Sequence, residues 1–476
     1  MLPPRKTVAE VVLSAGLAQA ARALVDEAVA NTRWRQRETI NLIPSEQTAS
    51  PLVGLLTIMD PSHRYGEHRR IEALGQADVF YYQGTKMIGE VERQLSQQLC
   101  GYLGCSLVET RTISGQMANT AVFGGIVEYL NRMDRKSEPR RIRKVMVHHI
   151  GRGGHLSAQP MGALRSYVAV DPSMDRHAAV PFPVMRDDPY RVDLARTADL
   201  VAVHSPELII LGKSMILYRE PVRESAQMIA GMKPRPILMY DMAHVLGLVG
   251  PHYQQPFAEG ADIVTGSTHK TFFGPQRGLI ASNMGEGSGL ERLWDAIVRR
   301  VFPGSVSNHH LGTMLGLLMA THEMAAFAAP YQKAVVANAK AFAMALHDQG
   351  IHVEGDPAVG YTETHQVVVR VGYGRGAEVA QLLEESNIIV NYQAAPDDEG
   401  FTAASCLRMG VQEMTRFGMG EKDFQHLAEI ITRVILKGRS LRDEVSRFRG
   451  KFVEMGYCLP RAEADVLVGK LLEALR

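Results

Sequence analysis

From about Glu90 to about Gly285 the chain alternates helical patterns with short apolar runs: VMVHHI (145–150), LIIL (208–211), PILMYD (236–241) and DIVTGS (262–267). Runs this short and this apolar suit strands covered on both faces, and the helical stretches between them supply crossover connections. The pattern therefore predicts an α/β fold with a mostly parallel sheet clothed by helices. In such sheets ligands settle at the carboxyl ends of the strands. Two of the runs end in residues suited to chemistry, Asp241 and His269–Lys270.

Composition removes several classes of function. The 476 residues suggest roughly two to four domains. Lys+Arg 52 against Asp+Glu 51 leaves a net charge of +1, which gives no electrostatic case for nucleic acid or an anionic membrane surface. The longest apolar stretches are broken by Gly, Pro or charge, short of the ~20 residues of a spanning helix. The start, MLPPRKTVAEVVLSAGL, has a basic-then-apolar character. Glu10 interrupts the run and an amphipathic stretch follows, so an N-terminal helical arm is expected in place of a signal peptide. Cys100, Cys105, Cys406 and Cys458 form no CxxC pair, so neither a disulfide framework nor a structural zinc site is expected, and a reduced, cytoplasmic setting is. The basic stretch 131–144 reads as a solvated loop. After a helical region from about 311 to 350, VVVRV (367–371) and IIVNY (388–392) suggest a second, smaller α/β domain, followed by a helical tail.

Three segments carry chemistry. In ADIVTGSTHKTFFGPQRG (261–278) an apolar strand delivers Ser267, Thr268, His269 and Lys270 into a turn closed by Gly274 and Pro275. A desolvated lysine there would be partly neutral and nucleophilic, as a Schiff-base lysine must be. In PILMYDMAHVLGLVG (236–250), Asp241 ends a strand and His244 follows three residues on; the carboxylate could hold a protonated ring nitrogen of pyridoxal phosphate. In RTISGQMANTAVFGGI (111–126), Ser114 and Gly115 sit where a loop enters a helix, a ready phosphate site. Alone, each has a plainer explanation: a surface lysine, a helix-capping aspartate, an ordinary helix start. Together they form a set.

That set, with NLIPSEQTASP, HRYGE, YYQGTK, GGHLS, GSTHKTFFGPQ, FPGSVSNHH, THQVVV and LRMGVQEMTRFGM, resembles the serine hydroxymethyltransferase family over roughly residues 38–425, with wording similar to its archaeal-type branch. The resemblance implies fold type I: a large domain with a seven-stranded, mostly parallel sheet and a smaller C-terminal α/β domain. The expected division is 1–50 as a helical arm, 51–315 as the large cofactor-binding domain and 316–476 as the small domain with its tail. It implies pyridoxal 5'-phosphate on Lys270, with His269 and Ser267 beside it, Asp241 at the pyridine nitrogen and His244 near the ring. Ser114, Gly115 and Gln116 would hold the phosphate, joined by Tyr65 and Gly304 of a second copy in a homodimer or larger homo-oligomer. Glu67, also donated by that copy, would handle protons. Arg408 would grip the substrate carboxylate with its planar fork. Ser45, Tyr82 and Ser214 would complete the substrate contacts. No metal is implied.

Two departures shape the functional expectation. Arg152 stands where the family is expected to carry a histidine that stacks on the cofactor ring, and it can stack through its guanidinium. Between Glu67 and Tyr82 the chain has HRRIEALGQADVF in place of a shorter Gly-Pro-rich loop. Both lie on the substrate side. The first expectation is accordingly a diverged biosynthetic enzyme, of the kind found in antibiotic assembly, acting as a lyase or decarboxylase on a larger amino acid or an S-linked cysteine conjugate. The alternatives are ordinary serine/glycine hydroxymethyl transfer, with tetrahydrofolate or a related pterin, and threonine transaldolase chemistry. A non-catalytic binding protein would not retain Lys270, Asp241 and Arg408 together. A metal hydrolase on His309 and His310 lacks an acidic partner at ligand spacing.

Overall fold

The computed structural model describes residues 16–71, 77–171, 173 and 175–476. Its centre is a seven-stranded sheet made of β1 (Leu107–Glu109), β2 (Val145–Val147), β3 (Ala179–Pro181), β4 (Leu208–Leu211), β5 (Ile237–Asp241), β6 (Ile263–Ser267) and β7 (Gly278–Ser282). Their spatial order is β1-β7-β6-β5-β4-β2-β3. β7 runs antiparallel to both its neighbours, and the other adjacent pairs are parallel. The apolar runs became strands because both faces are covered: every residue of β2, β4, β5, β6 and β7 is buried. One apolar cluster lies on each side, Val264, Leu238 and Ile209 belonging to one and Ile263, Met239 and Ile210 to the other. This alternation is the period-two signature of a strand between two helical layers.

Helices α1 (Leu17–Arg33), α2 (Lys86–Leu103), α3 (Gly115–Met133), α4 (Glu291–Val301), α5 (Leu311–Asp348) and α6 (Glu421–Lys437) surround two sheets. α3 starts directly after β1 and packs against α4, β6 and β7. α5 is long and apolar enough to cross a membrane by length and composition, contrary to the expectation that no such stretch exists. Of its most apolar window 61% is buried inside the protein, against α2, α6 and the small sheet, so it serves as a core helix. α1 has no buried residue, and the first part of the expected arm lies outside the described residues.

The second sheet is β8 (His352–Val353), β9 (Gln366–Arg370), β10 (Asn391–Gln393) and β11 (Cys406–Gly410), antiparallel in the order β8-β9-β11-β10. The segment 41–48 is tied to it: Gly410 N–H donates to Leu42 O, and Gln412 Nε2 donates to the carbonyls of Ile43 and Glu46, both at 2.8 Å. The segment after Glu67 is a hairpin, His68–Ile71 against Ala77–Phe80, with 72–76 outside the described residues.

Candidate active site

Asp241 ends β5 and faces Thr265 of β6 in register, two residues before Ser267 closes that strand. The chain then turns back on itself. Thr268 N–H donates to Arg277 O, Gly274 N–H to Thr268 O, and Thr271 Oγ1 to His244 O. These bonds hold His269 and Lys270 at the sheet's carboxyl edge. They face a cavity of about 540 Å³ whose walls include Ser45, Ser214, His244 and Arg408.

Lys270 has no hydrogen-bond or ion-pair partner among the described residues. Burial pushes its amine down to about 8, with Arg408 adding to the effect and Asp241 opposing it. Asp241 is buried too, which by itself would raise its carboxyl. Here His155, Asn119 and a backbone N–H outweigh burial and hold it well below the ordinary range. Its Oδ2 accepts from Asn119 Nδ2 at 2.8 Å and Ser157 Oγ at 3.1 Å and lies 3.0 Å from His155 Nδ1, while Oδ1 accepts from Ala243 N–H at 3.0 Å. Asn119 is fixed in turn by Thr265, whose hydroxyl donates to Asn119 Oδ1 at 2.6 Å. Burial also lowers His244 and takes His269 down to about 4; the Nδ1 of His269 is buried without a partner.

Arg408 comes from the middle of β11 and is 7% exposed. Nε donates to Asn391 Oδ1 at 3.1 Å and Nη1 to Ser214 O at 2.7 Å. No carboxylate pairs with it among the described residues, and burial lowers it to about 10. A buried guanidinium without a counter-ion is an anion site, and a carboxylate fits its fork.

The phosphate-ready turn sits at the same edge. Ser114 caps α3, its Oγ accepting from Met117 N–H at 3.1 Å, and Gly115 packs on Ser267. A Cβ on Gly278 would lie 2.2 Å from Ser114 O, so glycine is what lets α3 press against β7. The free N–H groups and dipole of a 19-residue helix then point at the edge that carries Lys270. Ser114, Gly115 and Gln116 are not among the residues lining the cavity itself.

Other residues are placed differently from expectation. Arg152 is exposed and off the cavity wall. The short helical turn Ile150–Arg152 ends at Gly153, whose φ of +80° reverses the chain. Arg152 stays outside while His155 is carried in beside Asp241. Arg152 is thus exposed, and His155, Asn119 and Ser157, which surround the Asp241 carboxylate, are site residues that sequence reasoning missed. Tyr65, Tyr82 and Gly304 are exposed, Tyr65 and Tyr82 with ring centroids 5.0 Å apart, and Glu67 is half-buried; none lines this chain's own cavity.

The donor set suits pyridoxal phosphate: an unengaged buried amine, a carboxylate held ionised, an unpaired histidine nitrogen and a helix N-terminus on one sheet edge. The family model described as serine hydroxymethyltransferase matches residues 19–431. Proteins named serine hydroxymethyltransferase from Pyrobaculum calidifontis and Pyrobaculum aerophilum are 39% and 40% identical, over 91% and 89% of this chain and 94% and 91% of theirs. One from Staphylothermus marinus is 37% identical over 90% of this chain and 91% of its own length. The crystal structure of L-threonine transaldolase from Pseudomonas fluorescens shares the fold, with a TM-score of 0.81 at 24% identity, covering 96% of this chain and 98% of that one. Fold and site together define a fold type I enzyme dependent on pyridoxal 5'-phosphate. Within that class, the chain belongs to the serine hydroxymethyltransferase family.

Proposed function

We propose that this protein moves the hydroxymethyl carbon of serine to tetrahydrofolate or a related pterin, leaving glycine. The observation that carries the reading is the convergence of Lys270 and an unpaired Arg408 on one cavity, with the Asp241 carboxylate at the end of the adjoining strand. The names of relatives similar along nine-tenths of the chain support the reaction. The diverged biosynthetic reading leaned on Arg152 and on the longer segment between Glu67 and Tyr82; Arg152 is not among the residues lining the cavity, and the names of the relatives favour the ordinary reaction over a lyase acting on a larger amino acid.

Each residue then has a task. Lys270 holds the cofactor covalently through its amine. Asp241, kept ionised by His155 and Asn119, keeps a proton on the pyridine nitrogen. Bound pyridoxal phosphate supplies a sink for the electron pair released at the substrate's Cα. Arg408 fixes the carboxylate and thereby selects which Cα bond stands aligned for cleavage. Ser114 and Gly115 offer N–H groups and a hydroxyl to the phosphate. His155 would steady Asp241, whose carboxylate lies 3.0 Å from its Nδ1, and burial keeps His244 neutral. Ser45 and Ser214 line the substrate end. Tyr65, Glu67, Tyr82 and Gly304 do not line their own cavity and would serve the partner's site in a homodimer, with Glu67 moving the proton of the substrate hydroxyl.

The purified protein, loaded with pyridoxal phosphate, is predicted to convert serine to glycine when supplied with tetrahydrofolate or an archaeal-type pterin. Absence of serine turnover with either carrier, alongside turnover of a larger amino acid, would reinstate the diverged reading.

A further inference from the structure

Behind the cavity wall, and not part of it, three titratable side chains are buried together: His148 at 4%, Lys213 at 5% and Glu220 at 2% exposure. Glu220 Oε1 lies 3.2 Å from Lys213 Nζ. Its Oε2 lies 2.5 Å from His148 Nε2 and accepts the Gly212 N–H at 3.2 Å. Lys213 Nζ also donates to Tyr190 O at 2.6 Å. Burial alone would raise the Glu220 carboxyl, but His148, Lys213 and the Gly212 N–H outweigh it and hold it down to about 2. Burial lowers His148, so Lys213 is the counter-charge. The backbone of Glu220 is clamped as well: its N–H donates to Gln254 Oε1 at 3.1 Å and its carbonyl accepts from Gln254 Nε2 at 2.6 Å.

A buried ion pair adds little stability over apolar side chains of the same volume. What this one does is hold backbone. The segment Gly212–Met215 crosses from Asp241 to Arg408. At Gly212, with φ at +112°, a Cβ would lie 2.1 Å from Asp241 O, so the segment lies directly on the end of β5. Ser214 N–H donates to Gly153 O at 2.7 Å. Ser214 O accepts from Arg408 Nη1 at 2.7 Å and from Gln366 Nε2 at 3.0 Å. His148 immediately precedes His149, which caps the turn that brings His155 to Asp241. Glu220 thus grips both loops flanking the cofactor edge, through partners 7 to 72 residues away in sequence.

We propose that Glu220, anchored by Lys213 and His148, is a positioning residue: it fixes the Ser214 carbonyl and so aims the Arg408 guanidinium at the substrate carboxylate. The proposal rests on the role given to Arg408 above. Its test compares serine with serinamide, whose neutral end offers the arginine no charge, in the wild type, E220Q, K213M/E220Q and R408K. E220Q is predicted to raise KM for serine roughly tenfold with kcat within about twofold, the level expected from a misaimed charge-assisted bond. Its preference for serine over serinamide falls accordingly, while the visible absorption of the bound cofactor is unchanged. K213M/E220Q leaves no unpaired buried charge, so it remains informative if E220Q does not fold, and it is predicted to lose the preference too. A lowered Tm with an unchanged serine-to-serinamide ratio in these variants would reduce Glu220 to a structural residue and overturn the proposal. An unchanged ratio in R408K would instead remove the reading of Arg408 on which it stands.

Discussion

Lys270 shows how burial, helped by a neighbouring arginine, prepares a residue for covalent chemistry. An amine at about 8 carries a substantial neutral fraction near neutral pH, whereas an ordinary lysine at 10.5 carries almost none. Attachment of pyridoxal phosphate to the cofactor-free protein, followed by stopped-flow absorbance, is therefore predicted to quicken about tenfold per pH unit below 8 and to level off above it. Continued acceleration to pH 10 would mean an unperturbed amine. The same shift affects stability. Between about 8 and 10.5 the folded chain binds fewer protons at this group than the unfolded chain, so Lys270's contribution to stability rises with pH across that window and is constant below it. Lys270, Asp241 and Arg408 were legible in the sequence because each closes or interrupts a short apolar run within a distinctive motif. His155 was not. Which of Arg152 and His155 turns inward is decided by the left-handed Gly153, and residue type alone does not reveal a chain reversal.

At the level of elements, the strands were legible because nearly every residue in them is apolar and covered. Burial on both faces did not by itself reveal strand direction, since β7 is as fully buried as its neighbours yet runs antiparallel to them. What the sequence hid were contacts between elements. The hairpin after Glu67 read as a loop because HRRI and ADVF are short, are interrupted by Arg69, Arg70 and Asp78, and present no sustained alternation of apolar residues. The Glu220 cluster was invisible because His148 lies 72 residues from it in the chain. Element packing also yields a prediction. Gly278→Ala drives a methyl into the Ser114 carbonyl and must displace the start of α3 from β7. Affinity for pyridoxal phosphate is predicted to fall by about tenfold or more, read by equilibrium titration of the cofactor, with far-ultraviolet circular dichroism unchanged. Unaltered affinity would show that the helix N-terminus does not carry the phosphate.

For the molecule as a whole, the expected site divides between residues that line the cavity and residues that do not. Tyr65, Tyr82 and Gly304 are exposed at positions where a family member would use them, which motivates a shared site in a symmetric dimer. Lys270→Ala and Glu67→Gln variants, each inactive alone, are predicted to regain about a quarter of wild-type activity when unfolded and refolded together at equal amounts, since half the dimers would then hold one intact site. No recovery would place Glu67 in the service of its own chain. The chemistry of the whole molecule turns on one nitrogen at the edge of the sheet. Borohydride reduction of the holoenzyme followed by peptide mass mapping is predicted to find the pyridoxyl group on Lys270 alone. A stable label on another lysine, such as the buried Lys213, or no label on a protein that still turns over serine, would contradict it.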